Sequence, residues 1–72
     1  MGGLSIMTKQ EIEDLKPGDK IYSLLSYQKW IVIFWQIDKK NKLDLLIVQN
    51  VLMNYKWFLT KEQLKRFIKI KE

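Results

Sequence analysis

Cysteine and histidine are absent from this 72-residue chain. Without cysteine there is no disulfide to stabilise a small fold and no thiolate to bind zinc or attack a substrate. Without histidine, the side chain most often used for acid–base catalysis near neutral pH is missing. The sequence also contains no calcium-loop pattern of acidic residues and no glycine-rich phosphate loop. We therefore predict no catalytic residues, no metal site and no cofactor, and expect a protein that is not an enzyme.

Long apolar runs are missing as well. The longest covers residues 30–35, whereas a membrane-spanning helix needs about 20 apolar residues. No basic region followed by an apolar core is present near the N-terminus, so no secretory signal is indicated. We therefore expect a cytoplasmic protein with no membrane partner. The hydrophobic fraction of 47% nonetheless suits a packed core, and the length suits one domain.

The first residues are expected to lie outside that domain. Residues 1–6 precede a second methionine, Met7, and codons for Gly2 and Gly3 can form a purine-rich signal that recruits ribosomes just upstream of it. We therefore predict that residues 1–7 are a leader, either disordered or the product of an upstream start. Residues 8–72 form the single domain.

Local patterns predict short helices and several strands. Thr8 and Glu11 form a capping-box pattern that starts a helix over about residues 9–15. Pro17 and Gly18 end this helix in a turn. Thr60 begins a second helical turn in the same way. The remaining apolar and β-branched segments predict strands over residues 20–26, 30–38, 43–49, 55–59 and 68–71.

The resemblance to a known fold rests on two segments. Residues 15–21 read Leu-Lys-Pro-Gly-Asp-Lys-Ile and lead into strands, and residues 57–60 read Trp-Phe-Leu-Thr and lead into a helical turn and a last strand. In this arrangement residues 8–72 resemble the small SH3-like β-barrels of bacterial and phage proteins. The resemblance implies a mainly β (α+β) fold, a five-stranded SH3-like small barrel with a short N-terminal helix and a helical turn before the last strand. It also suggests a phage or plasmid accessory protein that acts by binding.

The strand at residues 30–37 is apolar on both of its expected faces. Strict alternation places the even-numbered residues Trp30 to Gln36 on one face and the odd-numbered residues Ile31 to Ile37 on the other. An antiparallel strand with one face in water should carry one polar set. Either one set fills the barrel while the terminal helices cover the other, or an aromatic patch is exposed for a protein partner or a homodimer. In the second case the interface residues are Trp30, Phe34 and Trp35.

Basic residues are concentrated in the second half of the chain. The net charge is +5, and charges cancel within residues 1–30, so the whole excess lies in residues 31–72. An AT-rich coding sequence would produce many lysines without any function, and the presence of one arginine and no alanine fits that explanation. The alternative is a surface that contacts phosphates through lysine and stacks bases on Tyr55 or Trp57. The predicted nucleic-acid site comprises Lys39, Lys40, Lys42, Lys56, Trp57, Lys61, Lys65, Arg66 and Lys69. Lys61, Lys65 and Lys69 are spaced four residues apart, so they share one exposed face if the second helix continues that far.

Two functions follow from these patterns. The first is a non-enzymatic module that binds nucleic acid through the lysine-rich second half. The second is an inhibitor or adaptor from a phage or plasmid that binds a host or phage protein, for example one of host defence or replication. It would use the aromatic strand face or a barrel edge. The exposure of Trp30 or Trp35 distinguishes the two functions. An exposed tryptophan among apolar residues favours a protein partner, whereas one surrounded by lysines favours nucleic acid.

Overall fold

The structure, a computed structural model that describes residues 6–70, is mainly β. Five antiparallel strands form one sheet in the order β4-β3-β2-β1-β5, accompanied by two short helices. The predicted fold class is therefore confirmed at this level. The elements are α1 (Lys9–Glu13), β1 (Lys20–Ser23), β2 (Lys29–Asp38), β3 (Leu43–Asn50), β4 (Lys56–Thr60), α2 (Lys61–Leu64) and β5 (Phe67–Ile70).

The N-terminal helix is fixed at its start by the predicted capping box. The Glu11 amide donates to Thr8 Oγ1 at 3.2 Å, and the Thr8 amide donates to Glu11 Oε1 at 2.9 Å. Ile12 is buried, and so is Met7 before the helix. Residues 1–5 of the expected leader lie outside the described residues, whereas Met7 is part of the core and belongs to the folded domain.

The turn between α1 and β1 carries the chain directly into the sheet. Gly18 has φ +94°, a conformation that residues with a side chain rarely adopt. Asp19 Oδ2 accepts a hydrogen bond from the Lys16 amide at 3.1 Å. The Gly18 amide then donates to the Val32 carbonyl at 2.9 Å, and the Val32 amide donates to the Asp19 carbonyl at 2.7 Å. The turn therefore makes two backbone hydrogen bonds with Val32 of β2, one as donor and one as acceptor.

A β-bulge in β2 explains why this strand is apolar on both expected faces. Val32 lies opposite Val48 before the bulge, and Phe34 lies opposite Ile47 after it. Ile33 is therefore the extra residue, which has no partner in the ladder and reverses the alternation that follows. The prediction of strict alternation was wrong for this reason.

The bulge separates Phe34 from the tryptophans of β2. Beyond it, Trp35 lies opposite the buried Leu46 and packs against the core, while Phe34 faces away from the core and is exposed. Trp30 and Trp35 therefore share one side of the sheet, although they lie an odd number of residues apart. The prediction that Phe34 shares a face with Trp30 was therefore wrong.

The C-terminal elements, α2 and β5, complete the core with the buried Leu64 and Phe67. Thr60 caps α2, with the Gln63 amide donating to Thr60 Oγ1 at 3.2 Å and the Thr60 amide donating to Gln63 Oε1 at 2.9 Å. β5 then pairs antiparallel with β1. The buried core comprises Met7, Ile12, Leu15, Ile21, Trp30, Val32, Leu46, Val48, Leu59, Leu64 and Phe67.

Candidate binding surface

One face of the β2–β3–β4 sheet points away from the core and carries an apolar row. Residues directly opposite each other in neighbouring antiparallel strands point to the same face. Phe34 of β2, Ile47 of β3 and Phe58 of β4 are aligned in this way. Phe34 and Phe58 are exposed and Ile47 is half-buried. We call this surface the outer face.

Polar and apolar residues border this row on the outer face. Towards the β2–β3 hairpin the next row contains the exposed Gln36 with Leu45 and Thr60, and in the other direction the next row contains Ile31, Gln49 and the exposed Lys56. The outer face is therefore an apolar row rimmed by two rows in which polar and apolar side chains are mixed. Patches of this kind on a small protein mark interaction sites more often than chance exposure does.

The free edge of the sheet is formed by β4, and it is aromatic. Trp57 lies opposite Val48 and Phe58 opposite Ile47, so the two side chains leave the strand on opposite faces. Their rings nevertheless lie nearly parallel at the edge, with an interplanar angle of 7° and centroids 5.5 Å apart. Trp57 is 52% exposed and Phe58 53% exposed. Two large rings thus line a strand whose outer ladder has no partner among the described residues.

The hairpin lysines lie together at one end of the sheet. Lys39, Lys40 and Lys42 are all exposed in the β2–β3 hairpin. Asp38 shapes this turn, because its carboxylate accepts hydrogen bonds from the Asn41 side chain at 2.9 Å and from the Lys40 and Asn41 amides at 3.0 and 3.2 Å. These bonds, the one from the Asn41 side chain foremost, lower the pKa of the Asp38 carboxyl.

Lys56 is far from those three lysines. It lies opposite Gln49, six residues along β3 from Leu43, which corresponds to roughly 20 Å at the rise of a strand. Neither Lys56 nor the hairpin lysines make an ion pair within residues 6–70. Within the described residues, the three hairpin lysines and the single Lys56 are therefore separate, unpaired positive charges.

The other predicted lysines have acidic neighbours. Lys61 Nζ lies 3.4 Å from Asp44 Oδ2 and 3.8 Å from Glu13 Oε1, and it also lies 5.8 Å from the centroid of the Trp35 ring. Lys65 Nζ lies 3.1 Å from Glu62 Oε2. Exposed pairs of this kind stabilise the fold little. Each carboxylate nevertheless offsets the positive charge of its lysine, which weakens the attraction of that lysine for a phosphate.

Lys69 does not continue the helical face on which the sequence placed it with Lys61 and Lys65. The helix α2 ends at Leu64, and Lys69 lies in β5 with its Nζ 3.6 Å from Asp19 Oδ2. Arg66 is exposed between the helix and the strand. The expected basic stripe with a spacing of four residues is therefore not formed.

The two tryptophans of β2 belong to the interior. Trp30 is 7% exposed, and its ring meets Tyr55 edge-on with centroids 5.5 Å apart. Trp35 is half-buried and donates its indole N–H to the Leu15 carbonyl at 2.8 Å. Of the three expected interface residues, only Phe34 reaches the outer face. Phe58 was missed, although any strand containing Trp57 and Phe58 must turn one of them away from the core.

Neither a metal cluster nor a spanning helix is found in the part of the chain that the structure describes. No three His, Cys, Asp or Glu side chains within residues 6–70 come together to hold a metal ion. No helix within the same residues has the length and apolar character needed to cross a bilayer.

Comparison with protein-family profiles, curated proteins and solved structures finds no match to this chain. Its function is therefore inferred from its own surfaces.

Proposed function

We propose that this chain is a non-enzymatic binding module with an SH3-like five-stranded fold, and that it binds an extended segment of a partner protein along β4. The strand order β4-β3-β2-β1-β5, with a short helix before the last strand, supports the fold assignment. The observation that carries the function is the free edge of β4 with its two exposed aromatic rings.

Strand edges are usually protected, and β4 is not. Native edge strands carry proline or a central lysine, or lie under another element, because their free N–H and C=O groups recruit further strands. β4 has no proline, its lysine is at its first position, and its centre is Trp57 and Phe58. At the opposite edge, by contrast, β5 is buried at Phe67 and half-buried elsewhere. Of the two edges, β4 is the one prepared for an added strand.

The composition around β4 defines the chemistry of the partner segment. Alternate side chains of an added strand would lie beside Trp57 on one face and Phe58 on the other, so both sets should contain apolar residues. No aspartate or glutamate occurs from residue 45 to residue 61, whereas Lys56 is exposed beside the edge. The preferred segment is therefore apolar at its centre, with an acidic residue at the end that meets Lys56.

The expected affinity is moderate. Covering the exposed halves of two aromatic rings removes roughly 200 Å² from water, worth about 5 kcal/mol. Backbone hydrogen bonds along the edge add to this value, while ordering the incoming segment offsets several kcal/mol. We therefore expect dissociation constants in the micromolar range.

The test uses selection of short random peptides on the immobilised protein. Apolar peptides with an acidic end should be enriched, and Phe58→Lys should weaken their binding by roughly 10- to 100-fold. Ile37→Lys is the matched control, since Ile37 is an exposed apolar residue of β2 near the hairpin, 67% exposed against 53% for Phe58. Phe34→Lys distinguishes the modes of binding, because Phe34 lies on the outer face two strands away from the edge. Loss of affinity in Phe34→Lys equal to that in Phe58→Lys would contradict strand addition.

A second copy of this chain is a further source of an extended strand. Sedimentation equilibrium over a wide concentration range should precede the selection, with Phe58→Lys beside the wild type. Self-association that Phe58→Lys abolishes would identify the partner strand as β4 of another copy. A monomer at all concentrations would leave a foreign segment as the partner.

Nucleic-acid binding is the second candidate, favoured by the unpaired Lys39, Lys40 and Lys42. Titration with single- and double-stranded DNA and RNA, followed by tryptophan fluorescence, should show affinity that falls steeply between about 50 and 200 mM salt. The triple change of these lysines to glutamine should weaken binding to all sequences alike. A triple change of Lys9, Lys16 and Lys29 lowers the net charge equally and is the control. Equal losses in both triples would mean that overall charge alone attracts the ligand.

A further inference from the structure

The end of the sheet opposite the β2–β3 hairpin carries a second group of exposed apolar side chains. It is formed by the β1–β2 connection, residues 24–28, and the β3–β4 connection, residues 51–55, which together we call the loop end. Leu52 at its tip is 87% exposed, and Val51, Met53, Leu25 and Tyr27 are exposed as well. These side chains protrude from loops and are not part of the outer face.

The two connections are joined by hydrogen bonds. The Val51 amide donates to the Lys29 carbonyl at 3.1 Å, and Asn50 Nδ2 donates to Gln28 Oε1 at 2.9 Å. Asn50 itself is buried at the end of β3. The exposed apolar side chains of the two connections therefore lie next to each other on loops that are held together by hydrogen bonds.

The backbone of the β3–β4 connection satisfies its own donors. Asn50 Oδ1 accepts from the Leu52 amide at 3.0 Å and from the Met53 amide at 2.8 Å, and the Asn50 carbonyl accepts from the Asn54 amide at 2.9 Å. With the bond from the Val51 amide, all four N–H groups of residues 51–54 have protein acceptors. A loop in water does not need this, whereas a loop entering an apolar medium does, because each unpaired N–H would cost several kcal/mol there.

The charge around the loop end is positive. Lys29 and Lys56 are exposed at the bases of the two connections. No acidic residue occurs within residues 20–37 or 45–61. Leu25 and Glu62 both line a neighbouring groove of about 550 Å³. The Glu62 carboxylate is paired there with Lys65.

We propose that the loop end docks on an anionic lipid surface. Leu52 and Met53 would enter the boundary between headgroups and acyl chains, Tyr27 and Tyr55 would lie at headgroup level, and Lys29 and Lys56 would face the anionic headgroups. The charge favours a lipid surface over a neutral apolar pocket, and the bonded N–H groups of residues 51–54 lower the cost of moving the tip out of water. Such binding is reversible and peripheral and requires no membrane-spanning segment. It therefore departs from the expectation of no membrane partner, which rested on the lack of a long apolar run.

The absence of cysteine allows a direct test on the whole chain. Leu52→Cys and Ile37→Cys are each labelled with an environment-sensitive fluorophore and mixed with vesicles of phosphatidylcholine, alone or with roughly 30 mol % phosphatidylglycerol. The label at residue 52 should shift to the blue and brighten severalfold with the anionic vesicles only, and high salt should reduce the change. The label at residue 37 should not respond, since Ile37 lies at the hairpin end.

A second readout uses unlabelled protein and vesicle co-sedimentation. Leu52→Asp with Met53→Asp should lower the bound fraction at least about tenfold in apparent partition coefficient, because both side chains are exposed and the fold does not depend on them. Ile37→Asp is the matched control and should bind as the wild type does. Thermal melts of each variant establish that it is folded.

The proposal would be overturned if the folded wild type failed to sediment with the anionic vesicles. Equal responses of the labels at residues 52 and 37 would also overturn it, as would a loss of binding in Ile37→Asp equal to that in the variant with Leu52→Asp and Met53→Asp. A response at residue 52 that is the same on neutral vesicles would also contradict it, since contacts of Lys29 and Lys56 with headgroups require anionic lipid.

Discussion

Asn50 ends β3 with its side chain buried, 1% exposed, and its replacement by alanine is the most informative stability test of the fold. The side chain makes three hydrogen bonds. Its Oδ1 accepts from the Leu52 and Met53 amides, and its Nδ2 donates to Gln28 Oε1. Asn50→Ala removes all three, so that of the two bonds that join the β1–β2 and β3–β4 connections only the one from the Val51 amide to the Lys29 carbonyl remains.

The expected loss follows from these bonds. Each hydrogen bond of this kind contributes about 1 kcal/mol net, and water can partly replace the acceptor for the two loop amides. We therefore expect the free energy of unfolding to fall by about 2–3 kcal/mol. For a domain of this size each kcal/mol corresponds to about 4–8 °C, so the melting temperature should fall by about 8–24 °C.

The assay is urea and thermal unfolding followed by circular dichroism. Asn41→Ala is the control, since the Asn41 side chain is exposed and donates only to Asp38, and it should cost less than about 1 kcal/mol. Asn50→Asp keeps the acceptor for both loop amides but buries a charge, so it should also destabilise. A loss below about 0.5 kcal/mol in Asn50→Ala would refute the account of the loop end as a structure organised by this side chain.

Three further changes test local features of the fold. Gly18→Ala should cost about 1–2 kcal/mol in urea unfolding from its positive φ alone, since no heavy atom of residues 6–70 beyond its two chain neighbours lies within 4 Å of the added Cβ, and Gly18→Asn should cost less. Trp35→Phe should cost about 1–2 kcal/mol in the same assay, because the Leu15 carbonyl loses its donor. The folded pKa of Asp38 lies below its unfolded value of 3.8, so its stabilising effect is present above that pH and lost as the pH falls through the folded pKa. Melting temperatures measured from neutral to strongly acidic pH should therefore fall less in Asp38→Asn than in the wild type.

Features set by neighbouring residues could be predicted from the sequence. Both capping boxes, at Thr8 and Thr60, are observed where the spacing of Thr with Glu11 and with Gln63 indicates them. The turn at Gly18 likewise follows from local conformational preference. Each of these features is decided within a few residues of chain, and tertiary packing does not override it.

The bulge in β2 could not be predicted in this way. Whether Ile33 has a partner depends on the register with β3, which is decided by packing across strands. That one residue transfers Trp35 to the core side and Phe34 to the outer face. The expected interface of Trp30, Phe34 and Trp35 followed from an uninterrupted alternation, and its members separate once the alternation is interrupted.

Which lysines of the predicted nucleic-acid site are paired with carboxylates also depends on contacts between residues far apart in sequence. Lys61 meets Asp44 from β3 and Glu13 from α1, and neither neighbour is near it in sequence. The sequence indicates how many lysines there are, but the fold decides which of them face a carboxylate. The hairpin lysines and Lys56 face no carboxylate within residues 6–70, and they lie near opposite ends of β3.

Backbone amide exchange reports whether the free edge of β4 accepts an added strand. Exchange of residues 56–60 should be measured with and without a peptide selected on the immobilised protein. Strand addition predicts that outward-pointing amides of β4 exchange at least about tenfold more slowly with the peptide, while the amides of the β2–β3 hairpin are unchanged. Unchanged exchange across β4, with protection appearing at the hairpin or on β5, would contradict the proposed mode of binding.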